Sequence, residues 1–376
     1  MIDKIRDSTA ASECDAAASL LCPQDGTRLL DDGIQVRCPA CAQVYRENRL
    51  DVIDFIRDSA YYWGEIPRDK MEAVLDYARQ NGFEAAIDDY LGVHVDASYR
   101  DSLREPTRAD WRLLLGMDRS SKVLDVGSGW GRLGFALAPS IKHLYSLEYV
   151  PQRLEFQRIM REQRGDQNIT LVHGSFLQLP FAANALDWVV FNGVLEWVGL
   201  AGDGDPRDMQ VDVLRRSFDI VRPGGYVAVA IENRWGINTF FGEIDHSGLP
   251  FTNLLPRRLA SAVVNRHAAK YRNDASNRGY RTYTYGLNGY QKLMREAGAR
   301  DVSVYALMPH YNVPRSVIPL APRRCSSAQQ EYALDEIWQR ASPMAALARL
   351  GVRALVRSGL MPYIYPHYLI VGRKPC

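Results

Sequence analysis

The sequence of 376 residues lacks the features that mark several classes of protein. No uninterrupted apolar run approaches the roughly 18 residues that suggest a membrane-spanning helix. Residues 1–15 are polar and mixed in charge, without the apolar stretch of a secretory signal peptide. The formal net charge is only +2, so overall charge indicates neither a nucleic acid nor a membrane as partner. These absences predict a cytoplasmic protein without a membrane span.

Cysteine is also scarce, with six residues that are unevenly placed. Without a signal peptide there is no reason to expect a disulfide framework, so clustered cysteines favour metal binding. Cys38-Pro-Ala-Cys41 has the spacing of a zinc knuckle, and Cys22-Pro-Gln-Asp25 lies upstream where a second knuckle belongs. We expect Cys22, Asp25, Cys38 and Cys41 to hold a structural Zn²⁺. The alternatives are a ribbon that has lost its metal, or Cys14 as a substitute ligand.

Four segments differ in composition and periodicity. In order they predict a flexible tail (1–14), a zinc-ribbon-like module (15–58), a helical extension (59–115) and an α/β domain (116–376). Within that domain, residues 237–285 predict a lid or substrate segment, and residues 328–360 predict a helical insertion before the last strand.

Short apolar runs alternate with helix-like segments from residue 121 onward. The runs that predict strands are 122–126, 143–148, 169–172, 186–191, 225–231, 302–307 and 367–372. Helix-like segments between the earlier runs predict a parallel sheet covered on both faces.

The first of these strands runs into a glycine-rich loop, Asp125-Val-Gly-Ser-Gly-Trp-Gly131. Glycines let backbone approach a ligand closely, and a strand–loop–helix junction of this kind forms a ligand crevice. A dinucleotide fingerprint requires its third glycine where Arg132 stands, whereas here that glycine is Gly131. The spacing therefore argues against an NAD-dependent oxidoreductase.

This spacing, with Asp125 leading, resembles the first motif of class I S-adenosylmethionine-dependent methyltransferases. Further motifs follow in the family's order: Glu148 ends the second strand, Gly174-Ser-Phe176 follows the third, Asn192 ends the fourth, and Arg222-Pro-Gly-Gly225 precedes the fifth. The resemblance covers residues 110–310. It implies a Rossmann-like, doubly wound, seven-stranded sheet.

The resemblance also implies a cofactor site. Its residues would be Asp125, Gly127, Ser128, Gly129, Gly131, Glu148, Ser175, Phe176 and Asn192. In this family Glu148 would bind the ribose hydroxyls and Asn192 would lie beside the methyl donor. Many relatives have aspartate where Ser175 stands, so the adenine contact departs from the usual pattern.

A narrower resemblance comes from four later motifs. They are Asn192-Gly-Val-Leu-Glu-Trp197, Ile231-Glu-Asn-Arg234, Asp245-His-Ser-Gly-Leu249 and Tyr283-Thr-Tyr285. They are similar to a bacterial subgroup often associated with glycan or secondary-metabolite biosynthesis, which sets no substrate.

Polar residues after the fifth strand are candidates for the chemistry. Glu232 lies at its carboxyl end, and His246 stands beside Asp245 in the next loop. A histidine oriented by a carboxylate suits a general base, although the Asp245–His246 pair could equally hold the loop together. We expect His246, Glu232 and Asp245 to be catalytic.

Three further residues are candidates for substrate binding. Asn233 follows Glu232, and Tyr283 and Tyr285 suit a sugar or aromatic acceptor.

Residues 251–290 carry seven Lys or Arg and one acid, which indicates an anionic acceptor or a solvated basic face. The leading hypothesis is O-methylation of a small molecule or of a glycan or nucleotide-linked precursor. An RNA methyltransferase that uses the ribbon to grip RNA is an alternative, but the near-neutral charge argues against nucleic acid. A non-catalytic, cofactor-binding scaffold subunit is the other alternative.

Overall fold

The computed structural model describes residues 19–48, 51–56, 61–91, 97–267, 279–320 and 354–376. The chain divides into two compact units. Unit 1 comprises Met1–Val190 and Asp219–Gly225, and unit 2 comprises Phe191–Phe218 and Tyr226–Cys376. The expected tail (1–14) and most of the expected helical insertion (328–360) lie outside the described residues.

Unit 1 contains a parallel sheet with strand order β8-β5-β6-β7-β4. These strands are β4 (Ile53–Asp54), β5 (Lys122–Val126), β6 (His143–Glu148), β7 (Ile169–His173) and the unit 1 part of β8 (Leu186–Asn192). The β5–β6, β6–β7 and β4–β7 ladders are parallel, and Val126 pairs with Leu147. The glycine loop after β5 and the carboxyl end of β6 therefore meet at one edge of the sheet.

A second sheet of unit 1 is small and antiparallel, with order β1-β2-β3. Its strands are β1 (Leu30–Asp31), β2 (Val36–Arg37) and β3 (Val44–Arg46). Turns at Cys22–Thr27 and Cys38–Gln43 close on backbone hydrogen bonds of 2.8 and 2.9 Å. The two Cys-containing turns thus belong to one compact module.

The helices of unit 1 cover the parallel sheet and form the helical extension. Their bounds are Arg68–Asn81, Phe83–Ala85, Ala97–Arg104, Arg112–Leu115, Arg132–Leu137 and Pro151–Arg164, with a π-helix at Ala86–Leu91 and 3₁₀ turns at Pro106–Ala109 and Ala138–Ser140. Helix Arg68–Asn81 buries Met71, Val74, Leu75 and Ala78, the positions that its apolar period predicts.

Unit 2 contains an antiparallel arrangement of strands in the order β11-β10-β12-β9. These strands are the unit 2 part of β9 (Val221–Glu232), β10 (Asp301–Met308), β11 (Ser316–Pro319) and β12 (His367–Arg373). In the β9–β12 ladder His367 lies opposite Glu232. This register brings the start of β12 beside the carboxyl end of β9.

The helices of unit 2 lie between and after these strands. Their bounds are Pro206–Ile220 (through Phe218), Ile237–Phe240, Arg257–His267, Leu287–Glu296 and Met361–Ile364, with 3₁₀ turns at Leu195–Leu200 and Thr252–Leu254. Among the described residues, no helix combines the length and apolar character that crossing a bilayer requires.

The chain is thus a mixed α/β protein with a parallel-rich sheet, as the alternation of apolar runs predicts. Seven of the expected strands correspond to β5–β10 and β12. The short strands β4 and β11 were not expected, because two to four residues give too little periodicity to recognise.

Candidate functional site

The glycine loop of unit 1 adopts a backbone that requires glycine. Gly127, Gly129 and Gly131 all have positive φ angles, of 63°, 57° and 81°. A Cβ atom at Gly131 would lie 2.8 Å from the Phe135 ring. The loop therefore leaves β5 in a conformation that side chains at its three glycines would strain.

Glu148 joins this loop to the end of β6. Its carboxylate is 4% exposed, and Oε2 accepts a hydrogen bond of 2.7 Å from the Gly129 amide. Oε1 accepts bonds of 2.8 and 2.9 Å from the amides of Tyr149 and Val150. A carboxylate offers about four acceptor positions, and three are occupied here, so one remains for a ligand hydroxyl. A second ligand hydroxyl could replace the Gly129 amide as donor.

Gln157 also contacts the glycine loop, although no sequence motif predicts this role. Its amide nitrogen donates to Ser128 Oγ at 2.9 Å and to the Gly129 carbonyl at 2.7 Å. The side chain is fully buried and also accepts a bond from Ser146 Oγ at 2.6 Å. A buried glutamine in an amphipathic helix carries no motif, so only the tertiary structure reveals its role.

Asp125 lies beneath the loop. Its carboxyl is 2% exposed and accepts a 3.1 Å hydrogen bond from the Gly134 amide. Burial raises the pKa of Asp125 to about 7, although the charge of Arg108 opposes the shift. The residue fixes the start of helix Arg132–Leu137 relative to β5.

Ser175 and Phe176 follow β7 in unit 1. Ser175 Oγ accepts a 3.2 Å hydrogen bond from the Leu177 amide, so the hydroxyl shapes the turn. Both residues are half-buried. In unit 2, Asn192 donates to Asn312 Oδ1 at 3.2 Å, while its own Oδ1 is buried without a hydrogen bond.

The expected metal ligands of unit 1 come together. One donor atom from each of Cys22, Asp25, Cys38 and Cys41 lies within 4.8 Å of the other three. The Sγ atoms of Cys22 and Cys41 are 3.7 Å apart, and Cys38 Sγ is 3.3 Å from Asp25 Oδ2. Hydrogen bonding from Thr27 lowers the pKa of Asp25 to about 2, so its carboxylate is ionised. Three sulfurs and one oxygen fit the ligand preferences of zinc.

A second polar cluster lies in unit 2 and contains Glu196, Glu232 and His246. The 3₁₀ turn Leu195–Leu200 supplies Glu196, and the end of β9 supplies Glu232. His246 Nε2 lies 3.3 Å from Glu232 Oε2 and 3.7 Å from Glu196 Oε1. The Glu196 side chain is completely buried, and those of Glu232 and His246 are 22% and 21% exposed.

These three groups set one another's protonation. Burial favours the neutral imidazole, but attraction to Glu232 outweighs it and raises the pKa of His246 to about 9. Burial opposes ionisation of Glu232 as well, yet the charge of His246 holds the pKa of that carboxyl well below its usual range. Burial and the nearby Glu232 charge raise the pKa of Glu196 to about 8.

At neutral pH the cluster therefore holds an imidazolium, a carboxylate and a neutral acid, with no net charge. Its proton can move on and off His246 within the working range of an enzyme. The three donor atoms also lie within 4.8 Å of one another, a spacing that a divalent cation could bridge.

Tyr311 fixes the orientation of Glu232. Its hydroxyl donates to Glu232 Oε1 at 2.9 Å, which leaves Oε2 facing His246. A Cβ atom at Gly193 would lie 2.6 Å from the Tyr311 hydroxyl, so this glycine makes room for the contact. No sequence motif indicates Tyr311. Glu196 stands in the motif that ends at Trp197, but as a lone acid among apolar residues it was not assigned a role.

The contacts of Asp245 fit the alternative in which it holds the loop together. Its carboxylate accepts a 2.7 Å hydrogen bond from the Ser247 amide and another from the Thr252 hydroxyl. These contacts tie the turn after His246 together. The structure thus brings His246 together with Glu232, while Asp245 supports the loop.

The three expected substrate-binding residues all make contacts within unit 2. Asn233 is buried, and its amide nitrogen donates to the carbonyls of Tyr363 and Tyr365 and to the Tyr368 hydroxyl. Its Oδ1 accepts a 3.0 Å bond from the Trp235 amide. Asn233 therefore joins the end of β9 to the chain before β12.

The two tyrosines pack against polar partners. The Tyr285 hydroxyl donates to Gln210 Oε1 at 2.8 Å. The Arg257 guanidinium lies 4.1 Å from the centre of the Tyr283 ring. Both tyrosines stabilise the segment that carries Arg257.

Part of the chain is similar to known proteins. Residues 117–248 match the family model described as a methyltransferase domain. A demethylmenaquinone methyltransferase of Anoxybacillus flavithermus is 29% identical over 148 residues, which cover 39% of this chain and 58% of that protein. A demethylmenaquinone methyltransferase of Listeria monocytogenes is 27% identical over 124 residues, which cover 32% of this chain and 48% of that protein. The chain spans about half the length of these curated relatives.

Among solved structures, the chain resembles phosphoethanolamine N-methyltransferase 2 of Haemonchus contortus in complex with S-adenosyl-L-methionine. The identity is 14% and the TM-score 0.41, with 81% of this chain and 60% of that chain covered. At this identity and TM-score, the similarity indicates nothing about the activity of this chain.

Proposed function

We propose that this chain is a class I S-adenosylmethionine-dependent methyltransferase, which transfers the methyl group of that cofactor to an oxygen atom of a small-molecule or glycan-type acceptor. The observation that carries the proposal is the glycine loop closed onto Glu148, inside the residues that match the family model. The methyltransferase relatives support an enzyme. Their demethylmenaquinone acceptor does not extend to this chain at 29% identity.

The cofactor would bind at the carboxyl edge of β5 and β6. The glycine backbone lets the methionine part approach closely, and Glu148 accepts hydrogen bonds from the ribose hydroxyls in exchange for that of Gly129. Ser175 and Phe176 would contact the adenine. The family resemblance implies that Asn192, whose Oδ1 is buried without a hydrogen bond, would lie beside the methyl donor.

His246 would take the acceptor's proton. When bound, the cofactor would supply a methyl group to a lone pair of the acceptor oxygen, and the electrons of the broken carbon–sulfur bond would remain on sulfur. The hydroxyl proton passes to the neutral form of His246, and Glu232, 3.3 Å away, stabilises the imidazolium that results. Asp245 supports this step through the loop that it ties to Thr252.

The zinc module has a structural role in this proposal. Cys22, Asp25, Cys38 and Cys41 would hold one Zn²⁺, whose four protein ligands leave no open position for catalysis. Metal analysis of the purified protein should give one zinc per chain. The Cys38→Ser variant should contain much less, whereas a zinc-free wild type would contradict the assignment.

The transfer itself is testable with radiolabelled S-adenosylmethionine and a panel of hydroxylated acceptors that starts with sugar nucleotides. Product should form with wild type. The His246→Asn variant should lose transfer at least tenfold, with unchanged affinity for S-adenosylhomocysteine. Cofactor binding without transfer to any acceptor would instead favour a scaffold subunit, and transfer to RNA alone would favour the RNA alternative.

A further inference from the structure

Unit 2 exposes a concentrated set of large apolar side chains. Six of the thirteen exposed large apolar residues in the described part of the chain fall within residues 235–259. They are Trp235 (40% exposed), Phe240 (52%), Phe241 (76%), Ile244 (68%), Phe251 (47%) and Leu259 (56%), and we call them the apolar face. Scattered apolar residues are ordinary on a protein surface, but a cluster of this kind marks an interaction site.

Local contacts join the segments that carry the apolar face. Ile244 forms a β-bridge with Pro250, and a Cβ atom at Gly242 would lie 3.2 Å from the Phe251 ring. The Arg234 guanidinium donates to the Asn253 and Leu255 carbonyls at 2.7 and 2.8 Å. The same guanidinium lies 4.9 Å from the centre of the Trp235 ring. The apolar residues thus sit on one connected segment.

The charged residues around the apolar face are mainly basic. No acidic residue occurs between His246 and His267, whereas Arg257, Arg258 and Arg266 do. Arg258 and Arg266 are exposed on helix Arg257–His267.

The acidic residues within 235–259 are Glu243 and Asp245. The Asp245 carboxylate is engaged with Ser247 and Thr252. Glu243 is exposed and accepts a hydrogen bond from Asn238. The exposed arginines Arg258 and Arg266 therefore outnumber the one exposed acid of this segment.

We propose that the apolar face docks on the surface of an anionic phospholipid membrane, with its aromatic side chains in the headgroup region and the arginines on the lipid phosphates. Aromatic and aliphatic residues flanked by exposed arginine have the composition of interfacial membrane contacts. A second copy of the chain is a poorer partner. A two-fold interface would place the same basic patch of both copies, with Arg258 and Arg266, in one interface, where like charges repel.

The position of the face has a consequence for the acceptor. Ile244 precedes His246 by two residues, so docking would bring the histidine loop to the lipid surface. An acceptor anchored in the membrane would then meet the site without leaving the bilayer. This consequence rests on the proposed methyl transfer, whereas the docking itself does not.

Vesicle sedimentation tests the docking without any reaction. Wild-type protein should pellet with vesicles of equal parts phosphatidylglycerol and phosphatidylcholine, and much less with phosphatidylcholine alone. The double variant Phe240→Ser/Phe241→Ser should bind roughly tenfold more weakly, because two aromatic anchors are lost. Arg258→Glu/Arg266→Glu should lose most of the preference for anionic vesicles, and salt should weaken wild-type binding.

The matched control is Leu113→Ser/Leu114→Ser in unit 1, which removes two apolar side chains that are 73% and 60% exposed. It should bind vesicles like wild type. Unchanged melting temperature and S-adenosylhomocysteine affinity would show that the variants are folded. The proposal is overturned if wild type does not pellet, if the control loses binding equally, or if wild type is a dimer that Phe240→Ser/Phe241→Ser converts to a monomer.

Discussion

Replacing Glu232 with glutamine would remove the charge that keeps His246 protonated. Attraction to Glu232 overcomes burial and raises the pKa of His246 from 6.5 to about 9, a preference for the charged ring of about 3 kcal/mol. Only about 1% of the ring is then neutral at pH 7. Glutamine keeps the shape of Glu232 and can still accept the Tyr311 hydrogen bond. Without the charge, burial favours the neutral ring.

The assay is the pH dependence of kcat/KM for methyl transfer. If neutral His246 is the base, the wild-type rate should rise about tenfold per pH unit between pH 7 and 9 and then level off. In Glu232→Gln the rising limb should move to lower pH, by an amount that the remaining charges of Glu196 and Asp245 reduce. The height of the plateau should fall too, because the variant stabilises the imidazolium less well.

Glu243→Gln is the matched control. Its carboxylate also acts on Glu232 and His246 through space, but it makes a hydrogen bond to Asn238 and no ion pair with the ring. The kcat/KM of Glu243→Gln should still rise with pH up to about pH 9, as in wild type. Glu196, His310 and His367 also influence the cluster and are unchanged in both variants. A limb near pH 9 that persists in Glu232→Gln would refute the assignment of the proton to His246.

Three further outcomes are expected. Glu148→Ala should weaken S-adenosylhomocysteine binding at least tenfold by calorimetry, because the ribose loses its acceptor and the loop its anchor; unchanged affinity would rule out the ribose contact. Gly193→Ala should slow transfer but not cofactor binding, since its Cβ would displace the Tyr311 hydroxyl and φ is +68°; a full rate would show that Tyr311 is dispensable. The pKa of Asp125 is about 7 in the folded protein and 3.8 ordinarily. The contribution of its neutral carboxyl to the free energy of unfolding is therefore fully present below pH 3.8 and is lost as the pH rises through 7. Wild type should therefore lose about 4 kcal/mol relative to Asp125→Asn between acidic pH and pH 8 in denaturant unfolding, and parallel stability curves would contradict this.

Local patterns in the sequence predicted the parts of the molecule that are local in space. The glycine loop needs only seven consecutive residues, and the strand before it is a continuous buried run. The four side chains expected as metal ligands come together for the same reason, because each Cys-containing turn has a fixed spacing. Here chain distance and spatial distance are similar, so spacing carries structural information.

The cluster of unit 2 could be predicted only in part. Glu232 and His246 were recognised from their place after a strand, but Glu196 comes from a turn far earlier in the chain. Adjacency suggested Asp245 as the partner of His246, whereas neighbouring side chains on a tight turn point to different contacts. Tyr311 reaches Glu232 from beyond β10, a contact that no sequence period encodes.

Calorimetric titration with S-adenosylhomocysteine, with NAD as the control ligand, tests the central claim most directly. The glycine loop and Glu148 predict saturable binding of S-adenosylhomocysteine and none of NAD. Binding of NAD alone, or of neither ligand, would contradict the assignment of this chain as an S-adenosylmethionine-dependent methyltransferase.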